Sequence, residues 1–218
     1  MHDSLGRAEK GIQIVGTGDF THPAWREELQ EKLEPAEDGL YVLKEEYRIQ
    51  DSTAAAAMQP RFVITGEISS IYKKKDKVRK VHSLILLPGL EEAEIISKKL
   101  ESIGNIHSDG RPILGLDCRD LLEILLELCP KMPSHVPRIS DILIFLIRGV
   151  FLVSIQWRNA LMIYHHTFGA METGLSSDPP MNWRISALDK YQLISNSDAH
   201  SPAKLGREAN LLDIETFL

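Results

Sequence analysis

Short apolar runs alternate with amphipathic stretches along most of the chain. Ile12 to Val15, Phe62 to Thr65, Val81 to Leu86 and Tyr191 to Ile194 are bounded by glycine, lysine or polar clusters, which is the pattern of strands. Thr21 and Pro23 open a helix carrying Trp25, Leu29 and Leu33, with Glu27 and Glu28 near its positive end. A second helix is predicted from about Leu90 to Ile103, and a leucine-rich third over about 118 to 129, capped by Asp117. The turn from Lys73 to Lys77 separates strands predicted at 62 to 65 and 80 to 87, so these pair as a hairpin. Residues 36 to 60, with Gly39, Pro60 and the alanines from Ala54 to Ala57, read as a loop with a short strand near Tyr41 to Leu43. The alternation predicts an α/β fold with mostly parallel strands. No internal repeat or linker is visible, so residues 1 to 218 are expected to form a single domain.

Candidate chemistry gathers where these runs end. Asp198 and His200 stand two apart just past the run that ends at Ile194, and at the two-residue period of a strand both side chains leave one face, as a shared metal ion requires. Ile12 to Val15 leads into Asp19 and His22, Phe62 to Thr65 leads into Glu67, and Met132-Pro133-Ser134-His135 has the look of a strand end. Acids and histidines at the ends of several strands are how a parallel β/α scaffold builds a site. Imidazole and carboxylate donors without clustered cysteine suit zinc, manganese or iron. Each residue also has a plainer reading: His82, on an alternating run, is the kind of histidine that packs structurally, and Glu67 is ambiguous in the same way. The stretch from Lys73 to Lys80 holds six basic residues, which is either a solvated hairpin tip or a contact for a phosphate backbone. Arg111, in the loop from Gly104 to Pro112, suits a phosphate, and the polar loop from Glu172 to Trp183 is dense enough to line a site.

Composition narrows the class. A chain of 218 residues, 43% hydrophobic and 26% charged, buries a core. Its formal net charge of −6 gives no global attraction to nucleic acid, so any such affinity rests on a local patch or on bound cations. Cys118 and Cys129, eleven apart on one predicted helix, are too distant to bridge and are expected reduced and buried, as in a cytoplasmic protein. No secretory leader is visible at the first residues. The apolar stretch from Ile142 to Val153 contains Arg148 and falls short of the ~20 residues that span a membrane.

Together these segments resemble the PHP (polymerase and histidinol phosphatase) superfamily of metal-dependent phosphoesterases, and within it the branch containing endonuclease Q. The resemblance lies in Lys10 to Pro23, Thr65-Gly66-Glu67, Lys80-Val81-His82, Gly104 to Leu114, Glu172 to Trp183 and Asn196 to Asn210, and covers about residues 5 to 135 and 170 to 212. It implies a distorted β/α barrel around a trinuclear centre of divalent ions, zinc first, with manganese or iron as alternatives. His22, Glu67, His82, His135, Asp198 and His200 fall on the ligand positions, Glu67 bridging and Asp19 supporting. Glu67 and Asp198 are thereby the implied catalytic residues, and Arg111, Lys204 and Arg207 the implied phosphate contacts. The branch is similar to enzymes that nick DNA beside deaminated bases and abasic sites, so DNA is the implied partner, with neither a membrane nor an obligate protein partner.

Three departures qualify what the resemblance implies. The family opens on a strand with a His-x-His pair, and none precedes Gly11, so the barrel is expected to lack its first strand and the centre two ligands. Related chains continue well past the position of Asn210, so lesion recognition is not simply inherited. From about Val136 to Phe168 the text matches nothing in the family, and Tyr164-His165-His166 is set aside as a metal site for that reason. Codons for Ser154 to Phe168, read from the third base of the serine codon, can spell the Ser-Val-Glu-Glu-Cys-Phe helix that the family carries there, which points to a local frameshift. Three functional readings follow: a DNA endonuclease-like hydrolase, a phosphatase for small phosphate esters, and an inactive remnant. Sequencing the coding DNA across Ser154 to Phe168 is expected to reveal that helix in the shifted frame; codons that exclude it refute the frameshift.

Overall fold

The computed structural model of the chain describes residues 10–48, 59–107, 111–129, 145–148, 170–175, 177–189 and 191–212, with the backbone alone described over 145–148. The architecture is built around a long hairpin. Strand β4 (Arg61–Lys74) and strand β5 (Lys77–Leu87) pair antiparallel in unbroken register from Ile64 opposite Leu87 to Lys74 opposite Lys77. Their two-residue turn, Lys75 and Asp76, has φ of 50° and 59°. Left-handed backbone at both central positions is what a turn of this length needs to match the twist of its strands. The paired region is longer than the sequence pattern predicts, because Gly66 continues the strand instead of ending it.

Around the hairpin lie β1 (Ile14–Gly16), parallel to the start of β4, and β2 (Leu33–Pro35) and β3 (Tyr41–Leu43), which pair antiparallel with each other before β3 meets β4. The two-residue strand β6 (Ile113–Leu114) runs parallel to β4 at Ser69 and Ser70. On the other side of the hairpin, β5 pairs antiparallel with β7 (Phe145–Arg148), followed in parallel by β8 (Ala170–Glu172) and β9 (Gln192–Ile194). The expectation of mostly parallel strands is thus corrected to a mixed sheet, since a hairpin joined by two residues is antiparallel of necessity. The expected barrel is also not closed. Among the described residues the sheet runs from β2 to β9 without pairing back on itself, and β2 ends on Pro35, which has no N–H to offer a further strand.

Alternation along the hairpin decides where the core sits. Ile68, Tyr72, Ile85 and Leu87 point to one face and are buried with α2 (Leu90–Glu101) and α3 (Cys118–Leu128) through Ala93, Ile96, Leu100, Leu121, Leu122 and Leu125. Fully burying each large side chain is worth roughly 1.5–3 kcal/mol, so this face anchors the molecule. Helix α1 (Pro23–Lys32) adds Leu29 to the core. Its N-cap is His22, one residue after the predicted opening at Thr21, and Pro23 takes the first helical position, where a missing N–H costs nothing. No helix of the described residues is long and apolar enough to cross a membrane.

Asp117 caps α3 as predicted, accepting the Arg119 amide at 3.0 Å, and its other carboxylate oxygen takes a 2.8 Å bond from Lys74 Nζ. One side chain therefore fixes both a helix start and the base of the hairpin tip. Cys118 and Cys129 are free and buried, and burial pushes both thiols up to about 11. Burial also works to raise the Asp117 carboxyl, but the Lys74 ammonium and the Arg119 amide outweigh it and hold the group below its usual value. A depressed folded-state carboxyl stabilises above the unfolded value of about 4 and loses that contribution as pH falls through the folded-state value. Asp117→Ala is expected to cost about 0.5–2 kcal/mol in urea unfolding at neutral pH, and the difference from the parent chain is expected to shrink as pH is lowered below about 4.

Candidate active site

The odd-numbered positions of β4 and the even-numbered positions of β5 share the face opposite the core, because directly paired residues of an antiparallel ladder point the same way. Glu67 and His82 are diagonal neighbours on that face, His82 lying opposite Ser69. Glu67 Oε1 is 3.0 Å from His82 Nδ1 and 2.9 Å from Arg111 Nη1. The distance to His82 is that of an ion pair, yet Nδ1 is buried and the angle is not that of a hydrogen bond. Two lone-pair donors thus meet out of line with each other, an arrangement a cation completes better than a proton. Arg111 arrives because β6 is parallel to β4, so the loop just before β6 passes beside Glu67. Glu67 and His82 are each about one-fifth exposed, and Arg111 is 38% exposed.

Asp19 and His22 lie in the connection from β1 to α1. Thr17 Oγ1 accepts the Thr65 amide at 3.1 Å, Thr65 Oγ1 accepts the Gly18 amide at 2.8 Å, and the Phe20 amide reaches the Thr65 carbonyl at 3.2 Å. The loop is thereby stitched to β4 just before Glu67. Gly66 is required at this seam: a Cβ there would stand 2.5 Å from the buried Phe20 ring. Trp25 Nε1 and Arg26 Nη1 donate to the carbonyls of Gly18, Phe20 and Thr21, holding the loop from the helix side. The His22 side chain takes no part in capping the helix.

The third group follows β9. Asn210 supplies Ser195 with both halves of a missing strand neighbour, accepting its amide at 2.8 Å and donating to its carbonyl at 3.0 Å. Asn196 donates to the buried Glu172 at 3.0 Å, and Ser195 Oγ donates to Glu208 at 2.8 Å. Beyond this brace the backbone leaves the extended form, since Asp198 has φ of 46°. The two-residue period therefore does not carry through to His200, whose Nδ1 lies 3.0 Å from the Asp198 carbonyl and not from its carboxylate. Arg207 bonds the Ser197 and Asp198 carbonyls at 2.7 and 3.2 Å, so in this arrangement the guanidinium orders the loop. Lys204 is exposed. Lys10 Nζ reaches the carbonyls of Pro202, Ala203 and Leu205 at 3.3, 2.8 and 2.8 Å and ties this segment to the start of the described chain.

Of the expected ligands, the structure brings Glu67 and His82 into contact and adds Arg111. Asp19, His22, Asp198 and His200 occupy the loops after β1 and β9, and His135 lies outside the described residues. Among the described residues no three of His, Cys, Asp and Glu are grouped closely enough to hold a metal ion. The donor chemistry of the Glu67–His82 pair fits such an ion; the number of donors at one point is smaller than the sequence implies. Glu67 itself sits within β4, not at a strand end as expected, because the ladder runs on past Gly66. One further signal was not read from the sequence. Asp19 and Asp198 are both held in left-handed backbone, φ 48° and 46°. Such conformations cost of order 1–3 kcal/mol each and cluster at functional sites.

No family model matches the chain. Two uncharacterized proteins are similar to it: YqxK of Bacillus subtilis, 27% identical over 95% of this chain and 49% of that protein, and a Methanocaldococcus jannaschii protein, 29% identical over 75% of this chain and 17% of that one. The fold is similar to that of the lesion-specific endonuclease PfuEndoQ from Pyrococcus furiosus, with a TM-score of 0.62 and 26% identity over 94% of this chain. It is also similar to endonuclease Q in complex with a duplex bearing an abasic lesion at the active site, with a TM-score of 0.66 and again 26% identity over 94% of this chain. The chain spans about half the length of YqxK and of the two solved structures. Its described architecture is therefore a mixed α/β sheet with helices, similar to endonuclease Q.

Proposed function

We propose that the chain is a metal-dependent phosphoesterase of the endonuclease type, acting on DNA at deaminated bases or abasic sites. The observation that carries this reading is the contact of Glu67 with both His82 and Arg111, a carboxylate, an imidazole and a guanidinium at one point, in a fold similar to a lesion-specific endonuclease. Glu67 and His82 would hold a divalent ion, zinc first, with manganese or iron as alternatives, and Asp19, His22, His135, Asp198 and His200 would complete the set. When bound, such an ion supplies an activated water and stabilises charge on a phosphate ester.

The residues of the chain define the rest. Arg111 neutralises Glu67 as long as no other cation does so. Its guanidinium is suited to grip a phosphate through paired hydrogen bonds, so a cation at Glu67 frees Arg111 to engage a substrate. Arg207 and Lys204 lie at the far loop, where Lys204 is exposed. A second reading, an inactive remnant that keeps the fold, is favoured by the absence of a three-donor group among the described residues.

Metal analysis of the purified chain, together with cleavage of uracil-containing, hypoxanthine-containing and abasic duplexes, separates the readings. Bound ions and nicking of the lesion strand are expected. Glu67→Ala and His82→Ala are each expected to lower cleavage beyond the roughly 10–100-fold that loss of a supporting partner of a ligand costs, with loss of bound metal. A chain that holds no ion and cuts none of the duplexes is the remnant, and one that hydrolyses only a small chromogenic phosphate is a phosphatase.

A further inference from the structure

The face of the hairpin that carries Glu67 and His82 continues outward to the tip. Going out from Glu67, the same ladder places His82 opposite Ser69, Lys80 opposite Ile71 and Lys73 opposite Val78. The core face takes the other set, so Lys74 is turned away and bonded to Asp117. Lys73 and Lys80 are diagonal neighbours, about 7–8 Å apart at the backbone, and Lys80 is two residues from His82 along β5, about 7 Å. Both lysines are exposed, and Val78 beside them is 61% exposed. The acid of the tip, Asp76, is fully exposed and 3.8 Å from Lys73, a pair of little energetic weight in water. Lys80 makes no ion pair with any described residue. A protein of formal net charge −6 thus carries six basic residues on one hairpin end, and two of them line up with the candidate site.

We propose that Lys73, Lys80 and Arg111 form a cationic track along the outer face of the β4–β5 hairpin that receives the phosphate backbone of a DNA strand and leads it to Glu67 and His82. From Lys73 to Glu67 the strand covers six residues, about 20 Å, a length over which one strand of a duplex presents about six phosphates. Charge complementarity selects the occupant, since the track is positive in a chain that is otherwise acidic. The lysines act through charge and not through base edges, so the contact is blind to sequence and sets position, not lesion choice. The track rests on the phosphoesterase reading for its purpose, but its binding is measurable without cleavage.

The test is fluorescence anisotropy of the full chain with a lesion-free labelled duplex over a series of salt concentrations. Lys73→Glu with Lys80→Glu is expected to weaken binding and to flatten the dependence of log affinity on log salt by roughly one to two, since each lost phosphate contact removes about 0.9 from the slope. Lys98→Glu with Lys99→Glu changes net charge equally on α2, away from the track, and is expected to leave the slope near that of the parent. The proposal is overturned if the parent does not bind the duplex at low salt, if the hairpin variant binds with an unchanged slope, or if both charge-reversed variants lose affinity alike. It is also overturned if the hairpin lysines are needed for anionic lipid vesicles and not for DNA. Binding through the track without strand cleavage leaves the track standing and sinks the phosphoesterase reading, whereas cleavage that survives loss of the hairpin lysines does the reverse.

Discussion

The unbroken pairing of β4 with β5 is the constraint on which the rest depends. Side chains on a strand alternate strictly between faces, so a slip of one residue would turn Ile68, Tyr72, Ile85 and Leu87 toward water and carry Glu67 and His82 into the apolar layer. Burial of the first set fixes the register, and the register fixes the second. The contact between Glu67 and His82 is thus a by-product of core packing on the opposite side of the same ladder. The Lys74–Asp117 bond adds a lock at the outer end, where the apolar layer has given way to exposed lysines.

Much of this was legible in the residue pattern. The three long helices lie where their spacing put them, Asp117 caps the third, and the hairpin turn falls within the lysine-rich stretch. What was not legible depended on partners remote in sequence. Gly66 reads as the end of a strand, but its lack of a side chain is used by Phe20, and the strand runs on through Glu67. The left-handed Asp198 breaks a spacing argument that assumed extended backbone. The position of Arg111 depends on β6, two residues long and too short to leave a periodic signal. A barrel is a statement about two distant edges of a sheet meeting, and no local pattern carries it.

The three loops that hold the candidate acids are built by the same device, side chains taking the place of backbone partners. Thr17 and Thr65 exchange hydroxyls for amides beside Asp19, and Asn210 stands in for a neighbouring strand beside Asp198. Strained carboxylates require such support, because each left-handed acid would relax if its loop were free to move. The likeness in fold to a lesion-specific endonuclease gives that strain a purpose, and the guanidinium on Glu67 accounts for how the carboxylate is balanced in its present arrangement.

The clasp made by Lys10 has a consequence for how the molecule is born. Its ammonium meets carbonyls at Pro202, Ala203 and Leu205, groups that a ribosome makes last among the described segments, whereas Lys10 leaves the exit tunnel among the first. During translation the hairpin and its helices are able to mature while this seam stays open. The stretch carrying Asp198 and His200 is therefore the final part to lock, and a stalled or prematurely released nascent chain would own a finished core with half of its chemistry unmoored.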